Sequence, residues 1–149
     1  MKKFTIVCLV VFVSLYLVGN VFAGEKEDCI ALCEAAAKMF KEKGKDATIA
    51  EVNKKDGQFV KGSLYIFLQG MDGTMMGHPM KASLIGKNLI DLKDKAGKAF
   101  FKEFTEVAKK GSGWVDYKWP KPGEEKPSDK TSYILKVNDD IFVGAGFYK

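Results

Sequence analysis

The spacing of apolar residues changes character three times along the chain. After Lys2 and Lys3, Phe4 to Val18 is an almost unbroken apolar run, interrupted only by Thr5, Ser14 and Tyr16. Gly19-Asn20 breaks the run, and Val21-Phe22-Ala23 places small or modest residues where a signal peptidase reads them. This is the pattern of a secretory signal peptide over residues 1–23, cleaved between Ala23 and Gly24. The competing reading is an uncleaved N-terminal anchor, because the charge-free stretch from Phe4 to Gly24 nearly spans a bilayer. Cys8 sits inside the run without the small residues that follow a lipoprotein cysteine's cleavage signal. The expectation is export, to the periplasm in a Gram-negative cell.

Beyond Gly24 the period becomes helical. Ile30, Cys33, Ala37 and Phe40 recur at three- and four-residue steps, predicting a helix capped by Asp28 and ended at Gly44. Asp46 opens a short second helix from Ala47 to about Lys54. Phe100, Phe101, Phe104 and Val107 predict a third, from about Ala96 to Lys110, with Lys109 and Lys110 in its last turn and Gly111 past its end.

Elsewhere the period is two. Leu64, Ile66 and Leu68 face one way and Tyr65 and Phe67 the other, so both faces of this strand read as covered. Asp72-Gly73 is a hairpin turn, with a shorter strand returning from Thr74 to His78. Trp114 to Trp119, Ser132 to Val137 and Ile141 to Tyr148 complete the set, and the stretch from Pro120 to Lys130 reads as a solvated loop. The order describes one α+β domain over residues 24–149, a central antiparallel sheet of about five strands with helices packed on it.

Composition narrows the chemistry. All 24 basic residues are lysine, so the formal charge of +5 is poor support for a nucleic-acid partner, which leans on arginine's two-pronged grip. A single histidine, His78, leaves a histidine-rich metal centre short of ligands. No nucleophile lies near a recognisable base motif, and no cofactor signature is present; an enzyme is not expected. Cys29 and Cys33 are four residues apart, where helical β-carbons stand about 5–6 Å apart and a disulfide wants about 3.5–4.5 Å. They are either two small apolar residues on a buried helix face, or a strained bridge, or an intermolecular pair.

Several short runs resemble one family when taken in order. They are Tyr65-Ile66-Phe67-Leu68, Met71-Asp72-Gly73-Thr74, Gly77-His78-Pro79, Ile85 to Leu89, Gly113 to Pro120, Ser132-Tyr133 and Val143 to Tyr148. Together they resemble the single Cache domain, the extracytoplasmic sensor module of bacterial chemoreceptors and histidine kinases, over nearly all of residues 25 to 148.

The resemblance implies a PAS-like fold, with a long N-terminal helix behind the sheet and a small ligand on the other face. It implies binding of a short-chain carboxylate, of the acetate, propionate, pyruvate or lactate type, and no catalysis. Carried over by motif, the candidate ligand contacts are His78, Trp114, Tyr117, Lys118, Lys130 and Tyr133, with Tyr65 and Phe67 as walls. Alternation puts Trp114 and Lys118 on one face and Tyr117 on the other. Lys118 stands where family members often have arginine, and supplies charge without the planar grip. The expected partners are the carboxylate and a membrane chemoreceptor or sensor kinase, the chain itself being a monomer or weak homodimer. The alternative is an interaction module with an empty pocket, working through the N-terminal helix and Cys29 and Cys33.

Overall fold

A computed structural model describes residues 24–149; the segment 1–23, read above as an export signal, lies outside the described residues. The first element, α1 (Glu25–Val52), begins at Gly24 rather than at Asp28. Glu25, Glu27 and Asp28 all fall in its first turn, where negative charge stabilises the exposed amide end of the helix. Gly44 takes φ 84° and kinks the helix at the predicted boundary, and Thr48 Oγ1 bonds back to the Gly44 carbonyl at 2.9 Å. The two predicted helices are therefore the two arms of one bent element. Its buried stripe is Cys29, Leu32, Cys33 and Ala36, while Ile30, Ala37 and Phe40 are half-buried at its margin.

The sheet has six strands: β1 (Val60–Lys61), β2 (Leu64–Gly70), β3 (Met75–Gly77), β4 (Ser112–Pro120), β5 (Pro127–Lys136) and β6 (Ile141–Tyr148). Their order is β1-β2-β6-β5-β4, with every pairing antiparallel and β3 joined to the far half of β2. The second helix, α2 (Phe100–Lys109), starts four residues later than predicted. Asp94 is the reason: its Oδ1 accepts the Ala96 and Lys98 amides at 2.9 Å each, holding the preceding residues in a turn.

The larger correction concerns β5. Its first residues lie in the stretch expected to be a solvated loop; instead Pro127, Ser128 and Asp129 pair with β4, and from Lys130 onward the strand pairs on both sides. Lys130 stands opposite Tyr117 of β4 and Tyr148 of β6, and is 1% exposed.

Each face of the sheet carries its own core. On one, α1 packs Cys29, Leu32, Cys33 and Ala36 against Leu64, Ile66, Leu68, Val143 and Ala145. On the other, α2 packs Phe100, Phe101 and Phe104 against Phe67, Val115, Tyr117, Ile134 and Phe142. Burying each of those helix phenylalanines contributes about 2 kcal/mol. All seven residues of β2 are buried because both of its faces are occupied.

Candidate functional site

Between α2 and the sheet the aromatic side chains leave a small cavity. It is lined by Tyr65, Phe67, Met75, His78, Phe100, Phe101, Phe104, Tyr117 and Trp119. Its free centre is about 10 Å³, room for about one water. The rings are in direct contact: Phe100 stacks on Tyr117 with centroids 4.6 Å apart, and Phe67 on Phe104 at 5.3 Å. Two glycines of β6 make this approach possible. A β-carbon on Gly144 would collide with the tip of the Phe67 ring, and one on Gly146 with Ser132 Oγ.

Polar groups gather at the end of the cavity near Tyr65. Tyr117 Oη and Ser132 Oγ lie 2.9 Å apart, and Tyr148 Oη donates to the Pro120 carbonyl at 2.7 Å. His78 follows β3 and is pinned twice. Its backbone amide donates to Asn53 Oδ1 at 2.9 Å, just past the end of α1, and its Nδ1 accepts the Lys81 amide at 3.0 Å. An Nδ1 that accepts places the ring proton on Nε2. Burial, reinforced by the charges of Lys130 and Lys81, lowers the His78 pKa to about 3, so the ring is a neutral donor.

Lys130 is the charge of this region. Its Nζ stands 3.9 Å from the centre of the Tyr65 ring and 4.8 Å from that of Tyr148. It is buried and has no hydrogen-bond partner among the described residues. Burial lowers its pKa to about 7, with only the Cys29 thiol pulling the other way. A buried cation without an anion is costly, and an anionic ligand would supply the missing partner.

The structure divides the sequence-derived candidates between the two faces. Tyr65, Phe67, His78 and Tyr117 line the cavity, and Lys130 adjoins it over the Tyr65 ring. Trp114 and Tyr133 pack against each other in the core on the α1 side, where Lys26 Nζ lies 5.5 Å from the Trp114 ring. Lys118 points away from the cavity as well, into an exposed 2.6 Å ion pair with Asp129. The alternation of β4 separates Trp114 and Lys118 from Tyr117, and Tyr133 of β5 stands opposite Trp114 on the same face. Trp119, which was not among the candidate contacts, is also a cavity wall, 6.2 Å from His78 between ring centroids. Tyr148, placed in the last strand, was not among the candidate contacts; its position two residues after Gly146, on the same face of β6, was the available signal.

Cys29 and Cys33 are both unbridged and wholly buried. They lie on an undistorted stretch of α1, so the strained-bridge reading has no helix distortion to support it. Among the described residues no group of three or more metal-binding side chains is gathered, and no helix is long and apolar enough to cross a membrane.

Comparison with known proteins agrees with this architecture. Residues 35–149 match the family model described as Cache domain. A sensor histidine kinase, MctS of Rhizobium johnstonii, is 34% identical over 85 residues, which cover 56% of this chain and 18% of the kinase. The methyl-accepting chemotaxis protein McpP of Pseudomonas putida is 37% identical over 86 residues, covering 56% of this chain and 16% of that receptor. The matched segment thus spans less than a fifth of either relative. Among solved structures, a Cache chemosensory domain described in terms of carboxylic acid recognition superposes with a TM-score of 0.74 at 26% identity, over 83% of this chain and 92% of its own. A methyl-accepting chemotaxis protein from Vibrio parahaemolyticus gives 0.72 at 27% identity, over 83% and 87%. With a helix behind an antiparallel sheet, a closed aromatic site on its other face and a family match over most of its length, this chain belongs to the Cache domain family.

Proposed function

We propose that this protein is an extracytoplasmic sensor domain that binds a short-chain monocarboxylate between α2 and the sheet. The observation that carries the reading is Lys130: an amine buried among aromatic rings with no hydrogen-bond partner among the described residues. A carboxylate placed beside Nζ would give that amine a partner, and the His78 Nε2–H and the Tyr117 hydroxyl are donors at the same site. The surrounding phenylalanines favour a short apolar tail and disfavour a second charge. The similarity to a Cache domain described as recognising carboxylic acids supports the same class, of the acetate, propionate, pyruvate or lactate type. Export by way of residues 1–23, cleaved after Ala23, and signalling through a membrane chemoreceptor or sensor kinase complete the proposal.

The cavity as it stands is smaller than any of these acids. Binding therefore requires the aromatic walls to part, with Trp119 and the turn after His78 nearest the rim. That small volume is also the observation that favours the second reading, an interaction module with an empty pocket. Against it, Cys29 and Cys33 face the sheet and offer nothing to a partner on the outer side of α1.

A thermal-shift screen of the purified protein against short-chain carboxylates, with calorimetry on each hit, decides between them. A ligand at a hundred times its dissociation constant adds about 2.7 kcal/mol to the folded state, a rise of several degrees. Lys130→Met should abolish the response and Lys118→Ala should leave it intact. A folded protein that ignores every carboxylate, or a response that follows Lys118, would sink this reading.

A further inference from the structure

Carboxylate binding at this site has a consequence for protons, and it rests on the reading just given. We propose that the site takes up its monocarboxylate together with one proton, which is held on Lys130 Nζ, so that ligand occupancy reports the anion and the acidity of the surroundings jointly.

The geometry leaves no other source for the charge balance. On β2 the neighbour of Nζ is the Tyr65 ring, on β6 the Tyr148 ring, on β4 Tyr117, and after β3 the neutral His78. From α1 the only titratable group acting on it is the Cys29 thiol. None of these is an anion near neutral pH. Burial raises Tyr65 and Tyr117 well above the usual phenol range and Tyr148 to about 12, and Cys29 is pushed up to about 12.

The acids that line an exposed groove together with Lys130 are engaged elsewhere. Asp129 pairs with Lys118 at 2.6 Å and Asp116 with Lys149 at 3.0 Å, both exposed, while Asp94 accepts the backbone amides of Ala96, Lys98 and Lys118. In the empty site the amine thus loses its proton near neutrality, in keeping with the value of about 7 that its burial gives. An arriving carboxylate restores the ammonium, because ammonium and carboxylate together are far better buried than either alone. The balance is simple: one carboxylate and one proton enter, one ammonium–carboxylate pair forms, and no bond within the ligand changes.

Linkage then sets the pH profile. Below the amine's pKa the site is already charged and affinity is flat, until the ligand's own carboxyl protonates below about 5. Above it, affinity falls with the protonated fraction, by about tenfold per pH unit and on the order of a hundredfold between pH 6 and pH 9. His78 stays neutral across that window, so it contributes no slope.

The test is calorimetry with propionate as the probe, from pH 6 to pH 9, in phosphate and in Tris. Their different ionisation heats reveal the protons exchanged per ligand bound. The expected uptake rises from near zero at pH 6 to near one at pH 8.5, with the affinity falling in step. Lys130→Arg, charged at every pH, should bind without that slope, and His78→Asn should keep it. The wild-type proton count needs no variant to fold. Propionate bound with no proton uptake and unchanged affinity would overturn the coupling while leaving carboxylate binding in place. No binding of any short-chain carboxylate would overturn both readings together.

Discussion

Lys130 Nζ lies 3.9 Å above the centre of the Tyr65 ring, and a second ring, Tyr148, is 4.8 Å away. Two aromatic faces stabilise an ammonium by about 0.5–2 kcal/mol each, whereas burying an ion costs several kcal/mol. The lysine is therefore a local liability of the unliganded fold. That is a reason to look for its use in binding and not in packing.

The empty protein should become more stable when this charge is removed. Lys130→Met retains most of the side chain's volume and is expected to add about 1–4 kcal/mol at pH 7. The sign with pH follows from the lowered folded-state pKa of about 7, against about 10.4 in an unfolded chain. Between those values the unfolded state holds the proton that the folded state has released, so stability rises with pH. From pH 7 to pH 9 the gain should be about 2 kcal/mol in the wild type, and absent in the variant. Urea midpoints at the two pH values measure it; parallel behaviour of the two proteins would show that Lys130 is not strained by burial.

His78 acts on the acid side. Its folded-state pKa of about 3 lies below the ordinary 6.5, so the unfolded chain takes up a proton first as pH falls. Stability should decline between pH 6.5 and pH 3 for that reason, in addition to the carboxylate contributions. His78→Asn can still accept the Lys81 amide through its side-chain oxygen, and should make the decline shallower. Identical slopes in the two proteins from pH 4 to pH 7 would contradict the assignment.

The glycines of β6 are required for ring packing. Gly144→Ala drives a methyl into Phe67 and should cost about 1–3 kcal/mol, the usual range for overfilling a packed interior. Because Phe67 is a cavity wall, carboxylate affinity should fall in the same variant. A chemical-denaturation midpoint equal to wild type would mean that the strand relaxes more easily than its two-sided burial suggests.

Cys29 and Cys33 should be inert in the folded protein. Both thiols are buried, and desolvation pushes Cys29 up to about 12 and Cys33 well above the ordinary thiol range, leaving almost no thiolate at pH 8. Alkylation read by mass spectrometry is expected to miss both until denaturant is added. Modification of either one under native conditions, or a bridge between them, would count against the packing described for α1.

Much of this organisation could be read from residue spacing, and the failures share a cause. β2 declared itself because successive residues are apolar, a pattern that only a strand covered on both sides needs. The bend at Gly44 was visible as a helix boundary, but not that the two arms form one element. The alternation of β4 separated Tyr117 from Trp114 and Lys118 correctly, yet could not say which face holds the site. Lys130 was hardest: it follows a stretch rich in proline, glutamate and lysine, and lysine is almost never fully buried. Its environment comes from Tyr65 and Tyr148, residues distant in the chain, and no local pattern carries that information.

The complete burial of β2 also sets how this gene should tolerate change. In a half-solvated strand, substitutions are accepted at every second position, and a saturation library shows a period-two stripe. Here Leu64, Ile66 and Leu68 touch the α1 layer while Tyr65 and Phe67 touch the cavity. Neither register is free to drift. A library across this strand should show one unbroken block of intolerance seven residues wide, with the losses at alternate positions arising from different failures: misfolding at one set, a silent sensor at the other.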